Sequence, residues 1–214
     1  MPAGRYHAVV VDEGQDFEAR WFELLRRLLV DPGDVFWVFH DPGQALIRAD
    51  VVAGLGLERH ELFENRRNPE SIAALAGRFY RGGEEVFALR ETGRRHTVIS
   101  AEPGDETLEA LRKALHRLIE DERVSPWRIA VLSGVSAPVS AAWRRLAPED
   151  VPDEPDEVLF ETIRRFKGME RDVVILVELP TEGDRVDELL YVGLTRATTE
   201  LVVIASPELA GRLG

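Results

Sequence analysis

Tyr6-His7-Ala8-Val9-Val10-Val11-Asp12-Glu13-Gly14-Gln15-Asp16 is the stretch that decides the fold of this chain. Its run from Ala8 to Val11 predicts a buried parallel strand, because it is apolar on both faces and has polar residues at both ends. In open α/β sheets the ligand crevice lies outside the carboxyl ends of the strands, where Asp12 and Glu13 fall. A strand-end aspartate suits a hydrated Mg²⁺, and the glutamate beside it can orient or deprotonate an attacking water. The alternative is a strand that runs into an acidic turn.

The composition describes a globular chain without features for membranes or disulfides. Of the 214 residues, 44% are hydrophobic and 31% are charged. No apolar run reaches membrane-spanning length and the N-terminus has no signal-peptide pattern, so we expect no membrane partner and a cytoplasmic location. The absence of cysteine excludes disulfides and thiolate metal sites. The net charge of −12 argues against strong nucleic-acid binding by the whole chain, although it leaves room for a local basic groove.

Strands and helices are predicted to alternate along the chain, which favours a mostly parallel sheet. After the first strand, the apolar runs predict strands over residues 35–39, 57–63, 96–101, 128–132, 158–163, 173–179 and 201–205. Apolar spacing predicts helices over residues 18–30, 105–122, 138–146 and 187–197. The inward face of the first helix is predicted to carry Trp21, Leu24, Leu25, Leu28 and Leu29. Residues 84–95 and the acidic stretch 147–157 are predicted to be loops.

Another helix is predicted after Pro69, and two arginines precede it. Asn68 is expected to cap this helix, with Pro69 in its first turn. The apolar stripe of the helix consists of Ile72, Leu75, Ala76 and Phe79. Because Arg66 and Arg67 lie just before the helix N-terminus, they mark a good place for phosphate. The alternative is an exposed basic turn.

Five segments resemble the motifs of the UvrD/Rep-like superfamily 1 helicases, and they occur in the family's order. The segments similar to motifs II to VI are, in turn, Val10-Val11-Asp12-Glu13-Gly14-Gln15-Asp16, His40-Asp41-Pro42-Gly43-Gln44, Leu62-Phe63-Glu64-Asn65-Arg66-Arg67, Thr162-Ile163-Arg164-Arg165-Phe166-Lys167-Gly168-Met169-Glu170 and Leu190-Tyr191-Val192-Gly193-Leu194-Thr195-Arg196-Ala197. The last segment matches nearly residue for residue. The resemblance implies an α/β fold with RecA-like, mostly parallel sheets and an incomplete first lobe.

The resemblance implies an ATP-hydrolysing site with five catalytic residues. Asp12 would hold Mg²⁺, Glu13 would activate the hydrolytic water, and Gln44 would sense the γ-phosphate. Arg67 and Arg196 would reach that phosphate from the second domain. These residue types suit phosphoryl transfer, which depends on positioning and charge neutralisation, and arginine stays protonated and binds phosphate with a fork of donors. For Arg196 the alternative is a surface arginine that pairs with a nearby acid such as Glu200.

The resemblance also implies binding residues for ATP and for single-stranded DNA. The residues implied to contact the nucleotide are Gln15, Arg66, Lys167, Gly168 and Glu170, of which Glu170 would meet the sugar. The residues implied to contact DNA are Thr162, Arg164 and Tyr191. Three features depart from the family pattern: Arg66 replaces an adenine-stacking tyrosine, Arg164 replaces a histidine, and Ile47-Arg48-Ala49 replaces aromatic residues that stack on DNA bases.

The family's phosphate-binding loop, which ends Gly-Lys-Thr or Gly-Lys-Ser, does not occur in these 214 residues. Neither lysine, Lys113 or Lys167, follows a glycine. We therefore expect a truncated chain or gene fragment, with residues 1–63 as the remnant of the first RecA-like domain (motifs II and III) and 64–214 as the second (motifs IV, V and VI). ATP and Mg²⁺ are then expected to bind only together with a missing N-terminal RecA-like portion, and the fragment alone is expected to be inactive.

Two classes of function stay open. The first is the motor half of an ATP-dependent DNA helicase or translocase. The second is a non-hydrolysing module on the same fold that binds nucleic acid or a protein partner. The presence of Glu13, Gln44, Arg67 and Arg196 favours the first class, because a scaffold has no chemical need for all four.

Overall fold

The computed structural model describes residues 5–46, 51–81, 87–90, 96–146 and 157–214. The chain divides into two compact units, Met1–Leu62 with Arg81–Gly83, and Phe63–Tyr80 with Glu84–Gly214. All strand pairs in both units are parallel among the described residues. The predicted α/β class with parallel sheets is confirmed. The assignment of residues 1–63 and 64–214 to two RecA-like domains stays a prediction.

The first unit is built on a two-stranded sheet. Strand β1 (Ala8–Val11) pairs in parallel with β2 (Val35–Val38), and helix α1 (Ala19–Arg26) connects them. One face of the sheet packs against α1 and a short 3₁₀ turn, Val52–Leu55, around the buried side chain of Phe22. This arrangement leaves the carboxyl ends of β1 and β2 side by side.

The prediction that β1 is buried on both faces is wrong for the described residues. Val10 is 63% exposed and its neighbour across the sheet, Trp37, is 50% exposed. The reason is that only one face of the strand pair carries a helix, so alternate side chains point to solvent. The predicted inward face of the first helix is wrong for Leu24 and Leu28, which are exposed. Leu24 lies on α1 away from the buried Phe22, and Leu28 lies beyond the end of the helix at Arg26.

The second unit contains a five-stranded parallel sheet in the order β5-β9-β8-β6-β7. Its strands are β5 (Thr97–Ser100), β6 (Ile129–Ser133), β7 (Leu159–Thr162), β8 (Arg171–Val177) and β9 (Ala197–Ala205). The central strands β6, β8 and β9 are buried along most of their length, as apolar parallel strands covered on both faces are. A separate parallel pair in this unit consists of β3 (Glu64–Pro69) and β4 (Phe87–Arg90).

Helices flank this sheet. They are α2 (Glu70–Gly77), α3 (Asp105–His116), α4 (Ala141–Leu146), α5 (Val186–Leu194) and α6 (Pro207–Leu213). A π-helical turn, Arg117–Asp121, continues α3. Helix α5 packs closely on the sheet at Gly193, where a Cβ atom would lie 3.0 Å from Ile163 Cδ1. The predicted stripe of α2, Ile72, Leu75, Ala76 and Phe79, is buried, which confirms that prediction.

The structure corrects several predicted elements. Residues 57–63 form no strand; the strand begins at Glu64 and includes both arginines of the predicted basic turn. Asn68 does not cap α2, because it lies in β3, and Pro69 occupies the N-cap position without a side-chain hydrogen bond. Phe87–Arg90 is a strand within the predicted loop 84–95. The C-terminal helix α6 was not predicted.

Three stretches carry predictions that lie outside the described residues. They are 47–50, which includes Ile47-Arg48-Ala49, most of the predicted loop 84–95, and 147–156 of the predicted acidic loop. Among the helices that the structure does describe, none combines the length and the apolar character needed to cross a membrane.

Candidate functional site

In the first unit, the candidate residues follow the ends of β1 and β2. The two strand ends are held together by Gly14, whose N–H donates to the carbonyl oxygen of Phe39 at 2.8 Å. A Cβ atom at this position would lie 2.4 Å from Val38 Cγ1, so only glycine allows this approach. The close contact brings Asp12 and Glu13 next to the segment that holds Gln44.

Gln15 bridges the two strand ends from a fully buried position. Its Nε2 donates to Glu13 Oε2 at 2.6 Å, and its Oε1 accepts from the backbone N–H of Asp41 at 3.1 Å. The amide nitrogen of Gln15 therefore holds the motif II segment through Glu13, and its amide oxygen holds the motif III segment through Asp41. The resemblance implied that Gln15 contacts the nucleotide, whereas the structure gives it contacts that orient Glu13.

Gln44 lies in a short 3₁₀ turn, Pro42–Gln44, that Asp41 caps. Asp41 Oδ1 accepts from the N–H of Gly43 at 2.9 Å, and Asp41 Oδ2 accepts from Gln44 Nε2 at 2.8 Å. The half-buried amide of Gln44 is thus held beside the end of β2. It is positioned by a carboxylate of its own motif.

Asp12 is the residue that was predicted to hold a magnesium ion. It is exposed, and its Oδ1 accepts from the backbone N–H of Glu13 at 2.9 Å, while Glu13 itself adopts a left-handed conformation at φ 52°. Within the described ranges there is no group of three or more His, Asp and Glu side chains that could hold a metal. Since Mg²⁺ binds through one or two carboxylates together with substrate phosphates and waters, a single aspartate suits a magnesium ion that arrives with a nucleotide.

In the second unit, the structure brings residues of motifs IV and V together. Arg67 Nε lies 2.8 Å from Glu170 Oε2, and both side chains are about half exposed. Arg66 projects into solvent and donates from Nε and Nη2 to Glu64 Oε2, at 3.0 and 2.7 Å. Of the two arginines, Arg67 is therefore the one that contacts another candidate residue.

Asn68 joins the motif IV segment to the motif VI segment. Its side chain is 1% exposed, and Nδ2 donates to the carbonyl oxygens of Thr195 at 2.9 Å and Ala197 at 2.7 Å. Asn68 Oδ1 accepts from Asn65 Nδ2 at 3.0 Å. The two carbonyl groups flank Arg196, so this buried amide fixes the backbone on both sides of it. Sequence reasoning missed this role because the position before a proline suggested a helix cap.

Arg196 lies in the turn between α5 and β9, not on the predicted helix 187–197. The helix ends at Leu194. The Thr195 hydroxyl lies within hydrogen-bonding distance of the Tyr191 and Val192 carbonyl oxygens, which would accept from backbone N–H groups if the helix continued. The alternative of a surface arginine is wrong, because Arg196 is only 1% exposed. Its Nε donates to the Val192 carbonyl oxygen at 2.9 Å, and its Nη1 to that of Met169 at 3.4 Å.

The motif V turn presents basic residues at the end of β7. Thr162 is buried, and its Oγ1 accepts from the N–H of Arg165 at 3.2 Å, which shapes the turn. Arg164 is exposed and Lys167 is half-buried. Gly168 adopts φ 80° with open space where a Cβ atom would lie. The structure therefore assigns Thr162 to turn geometry and leaves Arg164 accessible to an anion.

Tyr191 lies on α5 and is half-buried. Its ring centroid is 5.1 Å from that of Tyr80, so the two rings pack at a tilt of 42°. This contact uses part of the surface that the resemblance assigned to DNA. The predicted nucleic-acid contacts at Thr162, Arg164 and Tyr191 stay a prediction.

Glu178 is a polar centre that sequence reasoning missed. It follows β8 in a left-handed conformation at φ 52°. Its carboxylate accepts hydrogen bonds from the hydroxyl groups of Ser133 and Ser140 and from the N–H of Ala141 at 2.6 Å. The carboxylate thereby ties the end of β6 to the start of α4. No spacing rule in the sequence links these three segments.

Two comparisons with known proteins agree with the arrangement of the second unit. Residues 157–204, which include the motif V and motif VI segments, match the family model of the UvrD-like helicase C-terminal domain. The fold is similar to the crystal structure of the C-terminal domain of a possible DNA helicase from Lactobacillus plantarum WCFS1, with a TM-score of 0.52 and 18% sequence identity. That match covers 70% of this chain and 94% of the other chain.

A search of curated proteins gives no significant match. The family match and the structural match nevertheless confirm the predicted resemblance to a UvrD/Rep-like C-terminal portion. At this identity, the structural likeness concerns the fold alone.

Proposed function

We propose that this chain is the C-terminal motor part of an ATP-dependent DNA helicase or translocase. The observation that carries the proposal is the convergence of three segments distant in sequence. Arg67 contacts Glu170, and Asn68, the next residue, holds the backbone around Arg196. A set of cationic groups arranged by buried contacts is what phosphoryl transfer requires, since its catalysis is mostly positioning and charge stabilisation. As part of this proposal we place the protein in the cytoplasm.

Of the two arginines proposed to act on the phosphate, Arg67 is the more exposed and Arg196 is buried. Its ion pair with Glu170 is half exposed, and such pairs contribute on the order of 0–1 kcal/mol. A phosphate oxygen can therefore replace the carboxylate as the partner of Arg67 at small cost. Release from Arg67 leaves Glu170 free to accept from a sugar hydroxyl, which is the role that the resemblance implies for it.

Arg196 is held in a different state. Its guanidinium is buried, and its donors include N–H groups bonded to the Val192 and Met169 carbonyl oxygens and to the Thr195 hydroxyl oxygen, so binding a phosphate requires it to exchange acceptors. Carbonyl oxygens carry only partial negative charge, whereas hydrogen bonds between ionised groups are roughly twice as strong. We propose that Arg196 engages the phosphate only when a nucleotide is bound.

Glu13 is the acid–base group of the proposed reaction. Magnesium-bound ATP supplies the transferable phosphoryl group when it is present. Glu13 orients the attacking water and accepts its proton, and the Gln15 amide keeps the Glu13 carboxylate in one orientation. Asp12 would offer its exposed carboxylate to the ion, and the Gln44 amide, which donates to Asp41 Oδ2, would exchange a partner to donate to a phosphate oxygen.

The second candidate is a non-hydrolysing module that binds nucleic acid or a protein. The buried state of Arg196 favours it, because a guanidinium satisfied by backbone groups can be purely structural. The two candidates differ in one property. Only the motor needs the carboxylate of Glu13.

The experiment compares the 214-residue chain with a protein in which it is joined to a portion that carries a phosphate-binding loop. We expect the chain alone to bind ATP more weakly than about 1 mM and to release no phosphate above background. We expect the joined protein to hydrolyse ATP, with stimulation by single-stranded DNA. In it, Glu13→Gln should lower turnover by at least about 100-fold, with ATP affinity retained.

Three results would contradict the motor proposal. They are micromolar ATP affinity of the chain alone, steady hydrolysis by the chain alone, and a joined protein that binds DNA but hydrolyses no ATP. The last result supports the non-hydrolysing module. Arg20→Ala provides the matched control, because Arg20 is exposed, pairs with Glu18 and lies outside every segment of the proposed site.

A further inference from the structure

A groove runs along one edge of the five-stranded sheet, between β5 and α3. It has a volume of about 830 Å³, and its floor includes Ile99, Ala110 and Val202. The small side chain of Ala110 leaves part of the space between α3 and the strand open. None of the residues that line the groove belongs to a segment of the proposed motor site, so its function is a separate question.

The strand at this edge has unpaired backbone groups. In the part of the chain that the structure describes, β5 has β9 on one side and no strand on the other. The Ala101 N–H donates to the Ala205 carbonyl oxygen at 2.9 Å, so the alternation of a parallel strand directs the N–H and C=O groups of Val98 and Ser100 outward. Exposed edges are normally protected by charged residues or proline, and the four residues of β5 include neither.

The helix beside the groove has a charge pattern that is complementary to itself. Asp105, Glu106 and Glu109 line the half of the groove near the start of α3, whereas Lys113 and Arg117 line the other half. When two identical helices lie antiparallel, the acidic half of each faces the basic half of the other. If two copies are related by a two-fold axis perpendicular to the sheet, their β5 strands pair antiparallel. The same axis makes their α3 helices antiparallel, so the acidic half of each helix faces the basic half of the other.

We propose that β5 and α3 form a homodimer interface in which a second copy of this chain continues the sheet. The strand edge supplies backbone hydrogen bonds through Val98 and Ser100, and the helices supply reciprocal contacts between Glu109 and Lys113. Within one chain these two residues form only an exposed i,i+4 pair at 3.4 Å, so each is free to exchange its partner. An interface of one short strand and one helix face is small, so we expect a dissociation constant on the order of 10 μM.

The test is sedimentation velocity of the 214-residue chain over a concentration series up to about 100 μM. We expect a monomer of 24.1 kDa at the low end and twice that mass at the high end. Ser100→Pro removes an outward N–H without touching a hydrogen bond to β9, and it should leave a monomer at all concentrations. Circular dichroism and thermal melting establish that this variant is folded.

The charge pattern is tested by exchanging two exposed side chains that no fold contact needs. Glu109→Lys places like charges opposite each other at two symmetric positions and should weaken dimerisation by about tenfold. Glu109→Lys combined with Lys113→Glu restores opposite charges across the axis and should restore the affinity of the unmodified chain. This rescue distinguishes the dimer contact from an effect within one helix.

Three results would overturn the proposal. The first is a chain that stays monomeric at the highest concentration. The second is a dimer whose affinity does not change in either Ser100→Pro or Glu109→Lys, since another surface must then form it. The third is a double variant that associates as weakly as Glu109→Lys alone, which would show that Glu109 and Lys113 do not meet across the axis.

Discussion

Asn68→Ala is expected to destabilise the second unit, because this buried amide links two segments that are distant in the sequence. The substitution removes the hydrogen bonds to the carbonyl oxygens of Thr195 and Ala197 and the one accepted from Asn65. Each contributes on the order of 0.5–1.5 kcal/mol, and buried acceptors left without a donor add to the cost. The expected loss is therefore about 2–4 kcal/mol, which is a large part of the stability of a domain.

The assay is native-state hydrogen exchange by mass spectrometry of the peptides that contain β8 and β9. Amide groups in these central strands exchange through global opening of the unit, so their rates report its free energy of unfolding. Asn68→Asp is a second variant of the same shape. Its carboxylate cannot donate to the two carbonyl oxygens, so it should destabilise the unit at least as much as alanine does.

Arg66→Ala is the matched control on the same strand. Its side chain is exposed and pairs with Glu64, so its effect should stay within about 0.5 kcal/mol. The reasoning is refuted if Asn68→Ala changes the free energy of unfolding no more than this control does. It is also refuted if exchange changes only near residue 68 and not in β9.

Other predictions concern catalysis, the Arg117–Glu200 ion pair and pH. In a joined protein that hydrolyses ATP, Arg196→Ala should lower turnover by at least about 100-fold and ATP affinity by less than about tenfold. Single-turnover hydrolysis and nucleotide titration measure these two effects, and an unchanged rate would show that Arg196 does not stabilise the transferring phosphate. Arg117→Met should cost about 1–3 kcal/mol in chemical denaturation, because it takes from the buried Glu200 carboxylate the partly exposed guanidinium 2.7 Å away. A loss below about 0.5 kcal/mol would contradict this. Hydrogen bonds from the N–H of Asp31 and the ring of His7 hold the pKa of the Asp34 carboxyl below its ordinary value. The stability that this carboxylate contributes should therefore be present at neutral pH and decrease as pH falls through the lowered pKa. NMR titration of the Asp34 carboxyl carbon checks that the pKa is lowered.

The sequence by itself determined the α/β class, most strands of the second unit and the positions of the five motif-like segments. The continuous apolar run Val173–Val177 predicted a strand covered on both faces, and all five of its residues are buried. The order of the five motif-like segments predicted the helicase resemblance, which the family match at residues 157–204 confirms. These features depend on local pattern, which the sequence displays directly.

Only the tertiary structure decided which face of a strand or helix is covered and which polar groups meet. Val10 is as apolar as Val11, yet it is exposed because no helix packs on its side of the two-stranded sheet in the described residues. Asn68 was predicted as a helix cap, but it donates to carbonyl groups more than one hundred residues away in the sequence. Arg196 was predicted on a helix, but it is buried in the turn after α5, where its Nε donates to the Val192 carbonyl oxygen. Such contacts form between elements, and their partners are fixed only when the chain brings distant segments within hydrogen-bonding distance.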